Sequence, residues 1–384
     1  MNWRIVTLLL LVGLIVIFGL SLIEPLNGAT LSARIQLEAP PQDLSGFARA
    51  IEPWDWRFPQ DHGPHPGFRT EWWYYTGVLA TAEGRRFGFQ FTIFRSALSP
   101  LAVGSSSEFR SKDLYMAHFT LSDIAAGDFY HDVRYARGGA GLAGATVEPR
   151  YRVWLEDWGV QAENDDATKT RISATSGDFA IDLGLQQVKP PALQGEKGLS
   201  QKSQEIGNAS YYYSLSRLIT SGGLTVDGQR FAVAGFTWMD HEFGTSALGD
   251  NAQGWDWFGL IFADDSELMV GQIRLVDGGV APAFGGLLIH PDGGTLKLGA
   301  EDIRIEPTGS WRSPHSEGEY PAGWQIEVSG ADGFRIDVTP LLADQELHGA
   351  GIVYWEGAVR VSGDKTGYGY AELTGYVGTM ANRF

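Results

Sequence analysis

The sequence predicts an all-β protein made of antiparallel barrels or sandwiches, and three observations carry that prediction. Strand-like segments recur about every 8–15 residues with Gly, Asp or Pro punctuation between them, the pattern of meandering antiparallel sheets. No amphipathic stretch of three or more helical turns follows the N-terminal apolar run. The composition agrees, because 50 Gly, 17 Pro and 12% aromatic residues suit turns and packed pleated surfaces better than helices. A chain of 384 residues exceeds one ordinary core. Two strands dense in indoles, around Trp72–Trp73 and Trp255–Trp257, echo each other and predict two similar β domains meeting near residues 235–250.

The net charge of −17 argues against a nucleic-acid partner or an anionic membrane surface. With no Cys, disulfides, zinc–thiolate sites, Cys nucleophiles and a lipoprotein anchor are all excluded. After Arg4 the chain is apolar from Ile5 to Leu20 and mostly so to Ile23, broken by Glu24 and Pro25. Residues 1–28 therefore read as an export signal, cleaved or retained as an inner-membrane anchor, with the folded body in the periplasm either way. Residues 29–54 read as a linker, 55–240 as the N-terminal β domain and 241–384 as the C-terminal one.

In chain order, the three prolines and two glycines between Phe58 and Gly67 forbid a helix or central strand and predict a shaped loop. Phe68 to Leu79 reads as a strand with large side chains on both faces: Glu71, Trp73 and Tyr75 on one, Trp72, Tyr74 and Thr76 on the other. Glu83-Gly84 turns the chain into a second strand, Phe87 to Phe94, and Tyr115 to Ser122 follows. Strands are predicted at Tyr151–Asp157, Arg171–Ala174 and Phe179–Gln187, then a long polar loop from Gly195 to Ala209 able to act as a lid. Tyr211 to Leu218 resumes the strand pattern, and Asp227-Gly228 turns the chain toward the central segment. A second meander runs from Gly254–Phe262 through Glu267–Leu275, Ala283–Ile289, Thr295–Leu298, Asp302–Glu306, Trp324–Val328 and Phe334–Pro340 to Tyr354–Val361 and Gly367–Tyr376.

Trp238-Met239-Asp240-His241-Glu242-Phe243 concentrates acid, base and aromatic wall more densely than any other stretch. If extended, it sets Trp238, Asp240 and Glu242 on one face and Met239, His241 and Phe243 on the other. Two acids beside an indole tend to raise one carboxyl pKa through desolvation and like-charge repulsion. The plainer reading is a strand end whose polar groups are satisfied by hydrogen bonds. Glu71 is a cavity carboxylate or the ion-pair partner of Arg69 or Arg95, and the ion pair is favoured. His118 sits on an otherwise apolar strand, as a satisfied core histidine does. His62 and His65 have the spacing of a metal pair, but their Pro/Gly-rich loop denies helical ligand geometry, and the plainer reading is a loop that plugs one barrel end. No Gly-x-Ser-x-Gly elbow, His-Glu-x-x-His or phosphate loop occurs.

Several motifs in order carry a resemblance: Phe58-Pro59-x-Asp61-His62-Gly63-x-His65-Pro66, Glu71-Trp72-Trp73-Tyr74-Tyr75-Thr76-Gly77, Met116-Ala117-His118-Phe119, Ser210-Tyr211-Tyr212-Tyr213-Ser214, Trp238-Met239-Asp240-His241-Glu242, Gly254-Trp255-Asp256-Trp257-Phe258 and Tyr354-Trp355-Glu356-Gly357. Over residues 55–380 the chain resembles the lipocalin-like family of AttH proteins and carotenoid 1,2-hydratases. The resemblance implies two tandem lipocalin-like antiparallel β-barrel domains and puts His118 near a pocket. It also points to an apolar, isoprenoid or lipid-like ligand and to a hydro-lyase or isomerase without a cofactor or metal. Such a reaction needs a dry acid, a wall that tolerates a cation and a held water. Asp240 is the expected acid, with Glu242 or His241 as partner and Glu71 and His118 as further candidates. Trp72, Tyr74, Trp238, Trp255, Trp257 and Tyr212 are expected to bind the ligand by cation–π and apolar contact. The alternative is a non-catalytic periplasmic carrier or an accessory protein of an ABC-type exporter.

Overall fold

Alternation of large apolar and polar side chains builds long strands here, and the computed structural model describes them within residues 44–100, 111–246, 248–249, 251–349 and 351–380. The first run comprises β1 (Thr70–Ala80), β2 (Arg86–Ala97), β3 (Asp113–Asp123) and β4 (Asp128–Arg137), joined as consecutive hairpins. Short strands follow: β5 (Ala143–Thr146), β6 (Arg152–Leu155), β7 (Trp158–Ala162), β8 (Lys169–Ser176) and β9 (Phe179–Gln187). Two stubs, β10 (Ala192–Leu193) and β11 (Leu199–Gln201), lead into β12 (Ala209–Val226) and β13 (Gln229–Ser246). The last two strands are joined by a tight turn in which Asp227 and Gly228 both take positive φ (50° and 73°), the geometry that an Asp-Gly pair favours. Pairing of β13 with β1 closes the order β4-β3-β2-β1-β13-β12-β9-β8-β7-β6-β5 into a nearly closed antiparallel barrel.

The second sheet begins with β14 (Ala252–Phe262), β15 (Glu267–Leu275), β16 (Gly286–Ile289) and β17 (Thr295–Leu298). It continues with β18 (Ile303–Pro307), while β19 (Ser310–Arg312) and β20 (Glu319–Pro321) form a separate two-stranded ribbon. β21 (Trp324–Val328), β22 (Phe334–Pro340), β23 (Glu346–Leu347), β24 (Tyr354–Gly363) and β25 (Gly367–Leu373) complete it, with β25 pairing β14 to close a second barrel-like sheet. The only helical turns among the described residues are two 3-10 turns, Gln60–His62 and Ala300–Asp302.

Each barrel is filled by its own side chains. Trp73, Tyr75, Phe89, Phe91, Ile93, Phe119 and Trp158 pack the first, and Phe258, Leu260, Trp324, Ile336, Trp355 and Val359 the second. A third cluster, with Tyr74, Tyr212, Trp238, Trp257 and Tyr370, lies between the barrels, formed by the outer faces of β1, β12 and β13 against those of β14 and β25. The described residues belong to one compact unit. Ion pairs buried at the contact tie the sheets: Lys189 Nζ lies 2.8 Å from Glu267 Oε2, and Arg217 on β12 holds Glu267 Oε1 from the other side.

Several elements differ from expectation for local physical reasons. β4 is an edge strand with polar, half-exposed side chains and no apolar alternation, so the sequence pattern misses it. The Tyr151–Asp157 segment shortens to β6 because Glu156 turns with positive φ, and Trp158 opens another strand. The Tyr211–Leu218 segment is part of an 18-residue strand with a bulge between Leu215 and Leu218. The Gly195–Ala209 loop contains β11, paired to β12. β13 continues past Asp240 to Ser246, so both sides of that position belong to the first sheet. No helix among the described residues is long and apolar enough to cross a membrane, and the apolar segment from Ile5 to Ile23 lies outside them.

Candidate functional site: a carboxyl-lined cavity between the barrels

Where the outer faces of the two barrels meet, they leave a cavity of about 110 Å³. Trp72, Tyr74, Phe94, Met116, His118, Tyr212, Asp240 and Glu242 line it from the first barrel; Trp255, Trp257, Tyr354, Glu356 and Glu372 line it from the second. Strand alternation explains the set, since Trp72 and Tyr74 face out of the barrel that Trp73 and Tyr75 fill. The cavity therefore lies between the barrels, not in either mouth.

Asp240 is the most heavily bonded of the four carboxyls. The Trp238 indole N–H (2.7 Å) and the Ser214 hydroxyl (2.5 Å) donate to Oδ1, and the Tyr212 hydroxyl (2.5 Å) donates to Oδ2. The Trp257 indole N–H in turn donates to the Tyr212 oxygen at 3.1 Å. Burial raises Asp240 to about 7 even against these three donors. Glu242 is held differently: Lys202 Nζ lies 3.0 Å from its Oε1, which also accepts from Ser210. Lys202 reaches in from the segment after β11 and passes over the Phe284 ring at 4.5 Å.

The second barrel brings its own acids. Glu356 on β24 accepts the Tyr74 hydroxyl, and burial together with the charge of Glu372 pushes it well above the usual carboxylate range. Glu372 on β25 accepts the Trp255 indole N–H at 3.0 Å, and burial lifts it to about 8. His118 Nδ1 lies 2.7 Å from the Tyr354 hydroxyl, and burial drops the imidazole to about 3, so it is neutral at pH 7.

The structure separates the expected residues into two groups. Asp240, Glu242, His118, Trp72, Tyr74, Tyr212, Trp255 and Trp257 meet at the cavity, while Trp238 packs behind it and holds Asp240. His241 and Glu71 do not join them, a correction to His241 as the expected partner of Asp240 and to Glu71 as a catalytic candidate. Both face the interior of the first barrel, because odd and even residues of paired strands point to opposite faces. There Arg95 Nε holds Glu71 Oε2 at 2.9 Å, and His65 Nδ1 (2.7 Å) and His241 Nε2 (2.9 Å) converge on Oε1. The ion pair with Arg95 is the one favoured from sequence. Buried though it is, Glu71 lies far below the ordinary carboxylate range because His241, His65 and Arg95 stabilise its charge.

The Phe58–Gly67 loop caps that interior. The Trp73 indole N–H donates to the His62 carbonyl at 2.8 Å, and His62 Nδ1 lies 2.6 Å from the Tyr213 hydroxyl. His62 and His65 thus serve different partners rather than a shared ligand. The donor atoms of His65, Glu71 and His241 lie within 4.8 Å of one another, but Arg95 already supplies the neighbouring positive charge and His65 Nε2 is engaged by Asp61 at 3.1 Å.

Sequence reasoning missed Lys202, Tyr354, Glu356, Glu372, Phe94 and Met116. Lys202 carries no sequence signal, lying in a polar loop. Glu356 and Glu372 alternate with barrel-filling Trp355, Ala371 and Leu373, a signal that a two-residue period read along the last hairpin contains.

The fold and site define a two-barrel β protein with an aromatic, carboxyl-lined cavity at the barrel junction. A model of the AttH-like family matches residues 49–376, and the chain belongs to that family. The crystal structure of an AttH-like protein from Nitrosomonas europaea is 36% identical, with a TM-score of 0.76, over 86% of this chain and 100% of its own. Kievitone hydratase from Nectria haematococca shares the fold at 16% identity and a TM-score of 0.63, over 87% of this chain and 98% of its own. CghA shares it at 12% identity and a TM-score of 0.52, over 87% and 97%. No curated protein matches the sequence.

Proposed function

We propose that the cavity binds an apolar, unsaturated ligand and catalyses addition of water to, or isomerisation of, a double bond by proton transfer from protein carboxyls. The observation that carries this reading is the cavity's lining: indole and phenol rings around buried carboxyls held near neutrality, Asp240 at about 7 and Glu372 at about 8. A carboxyl in that range serves as acid or base at physiological pH, and the rings attract the cation that alkene protonation creates. A fold shared with a hydratase agrees with it. Asp240 takes part in proton transfer, as the acid or as the base for water. The folded body acts outside the cytoplasm, delivered by the N-terminal apolar segment.

Native mass spectrometry with lipid extraction on the purified protein tests this, followed by incubation of the recovered ligand with wild type and Asp240→Asn. A ligand that both proteins bind and only wild type converts, by one water or to an isomer, supports the enzyme. A ligand bound unchanged by both leaves a carrier, with an exporter as a partner to seek.

A further inference from the structure

Glu356 and Glu372 are directly opposed cross-strand partners in the β24–β25 register. Such partners hold their Cβ atoms about 4.5–5.5 Å apart, and two like charges so placed destabilise a sheet. Both carboxyls nonetheless line the same cavity.

Among the described residues no cation pairs with either carboxyl, and only neutral donors, Tyr74 and Tyr354 at Glu356 and Trp255 at Glu372, favour their charged forms. From β1 Tyr74 donates to Glu356 Oε1, and from β14 Trp255 donates to Glu372 Oε1. Glu356 is 1% exposed, and its Oε2 has no hydrogen-bond partner among the described residues. The other titratable groups facing the pair are Tyr354 on β24, Tyr370 on β25, neutral His118 on β3, Tyr212 on β12, and the acids Asp240 and Glu242 on β13. Lys202, the cation lining the cavity, is paired with Glu242. Asp240 stands in contrast, with three donors holding its two oxygens as an ion is held.

We propose that Glu356 and Glu372 share one proton at neutral pH, and that this proton, presented on Glu356 Oε2, is the one delivered to the ligand. Buried carboxyl pairs that cannot both ionise share a proton in this way. The assignment rests on the reaction reading above and divides its labour. Protonation breaks the carboxyl O–H bond and forms a C–H bond on one alkene carbon, leaving a carbocation facing two carboxylates and the aromatic wall. A solvent water then bonds through oxygen to the cation and gives its proton to ionised Asp240. Asp240 returns that proton to solvent while the glutamate pair takes one up, so the net change is addition of one water.

Infrared spectroscopy of the full-length protein in detergent, read at the protonated-carboxyl stretch through a pH titration, tests the shared proton. Read against an Asp240→Asn background, so that Asp240 adds no band of its own, the expected result is a protonated-carboxyl band that disappears at a lower pH once either Glu356→Gln or Glu372→Gln removes the opposing charge. Thermal melts of the two isosteric variants, one at a buried and one at a cavity-exposed position, check that each is folded. With squalene as the probe, water addition should fall at least about a hundredfold in both Gln variants, the scale of a lost general acid. A band whose titration is the same with and without either Gln substitution, or Gln variants that hydrate squalene at the wild-type rate, overturns the assignment. No hydration by wild type, with the band behaving as expected, overturns the reaction and not the shared proton.

Discussion

Asp240 and His241, adjacent in sequence, belong to different worlds: Asp240 Oδ2 takes the Tyr212 hydroxyl at 2.5 Å in the cavity, while His241 Nε2 lies 2.9 Å from Glu71 Oε1 inside the first barrel. Substituting each should therefore fail differently. His241→Asn should lower stability by about 1–3 kcal/mol, the cost of unsatisfied buried partners, and leave ligand affinity of the folded protein unchanged. Asp240→Asn should keep the ligand and lose turnover. Denaturant titration beside a binding assay separates the two.

The pH profile of turnover should be a narrow bell. The base, Asp240, must be ionised, so the rate rises through about 7; the acid pair must keep its proton, so the rate falls through about 8. Glu372→Gln should move the alkaline limb of the residual rate, and Asp240→Asn should abolish turnover across the whole range. A rate that is flat from pH 6 to 9 would contradict both assignments.

Asp240 should also leave a mark on stability. Its folded pKa lies above the unfolded value of 3.8, so its contribution is full below that value and is lost as pH rises toward about 7. Relative to wild type, Asp240→Asn should gain stability over this window, by up to about 4 kcal/mol at the alkaline end. Denaturation midpoints at pH 4 and pH 8 measure the difference. Glu71 has the opposite sign: its pKa is depressed, so its stabilisation is present above 4.5 and lost in acid. Glu71→Gln should flatten the acid limb of the stability curve.

Lys202 and Glu242 form a buried pair at 3.0 Å. Removing one partner leaves a buried charge, so Lys202→Met should cost about 3–5 kcal/mol, and Lys202→Met/Glu242→Leu should recover most of that loss. A double-mutant cycle in urea gives the coupling.

Trp257 faces Tyr74 edge-on, with ring centroids 5.3 Å apart, and donates to the Tyr212 oxygen. Trp257→Leu removes a cation-stabilising face, so kcat should fall about tenfold, as loss of roughly 1.4 kcal/mol requires, with KM little changed. Equal losses in binding and rate would make the ring a wall only.

Much of the site was legible because strand geometry is local. Alternation along Thr70–Leu79 and Trp238–Phe243 assigns each side chain to a face, and the structure keeps every one of those faces. The same rule should have detached His241 from Asp240 at once, and Glu71 is detached by the same alternation once β1 pairs β13. What alternation does not say is which face lines a cavity and which fills a barrel.

The sequence by itself determined the all-β class, the hairpin turns, the family and the facing of each strand, because period-two patterning and turn chemistry are written in neighbouring residues. Only the tertiary structure decided that the cavity lies between the barrels, that Lys202 enters it, and that Tyr74 meets Glu356 across 282 residues of chain. The opposition of Glu356 and Glu372 needed the β24–β25 register. Registers and barrel contacts depend on which distant surfaces bury each other, and no run of adjacent residues encodes that choice.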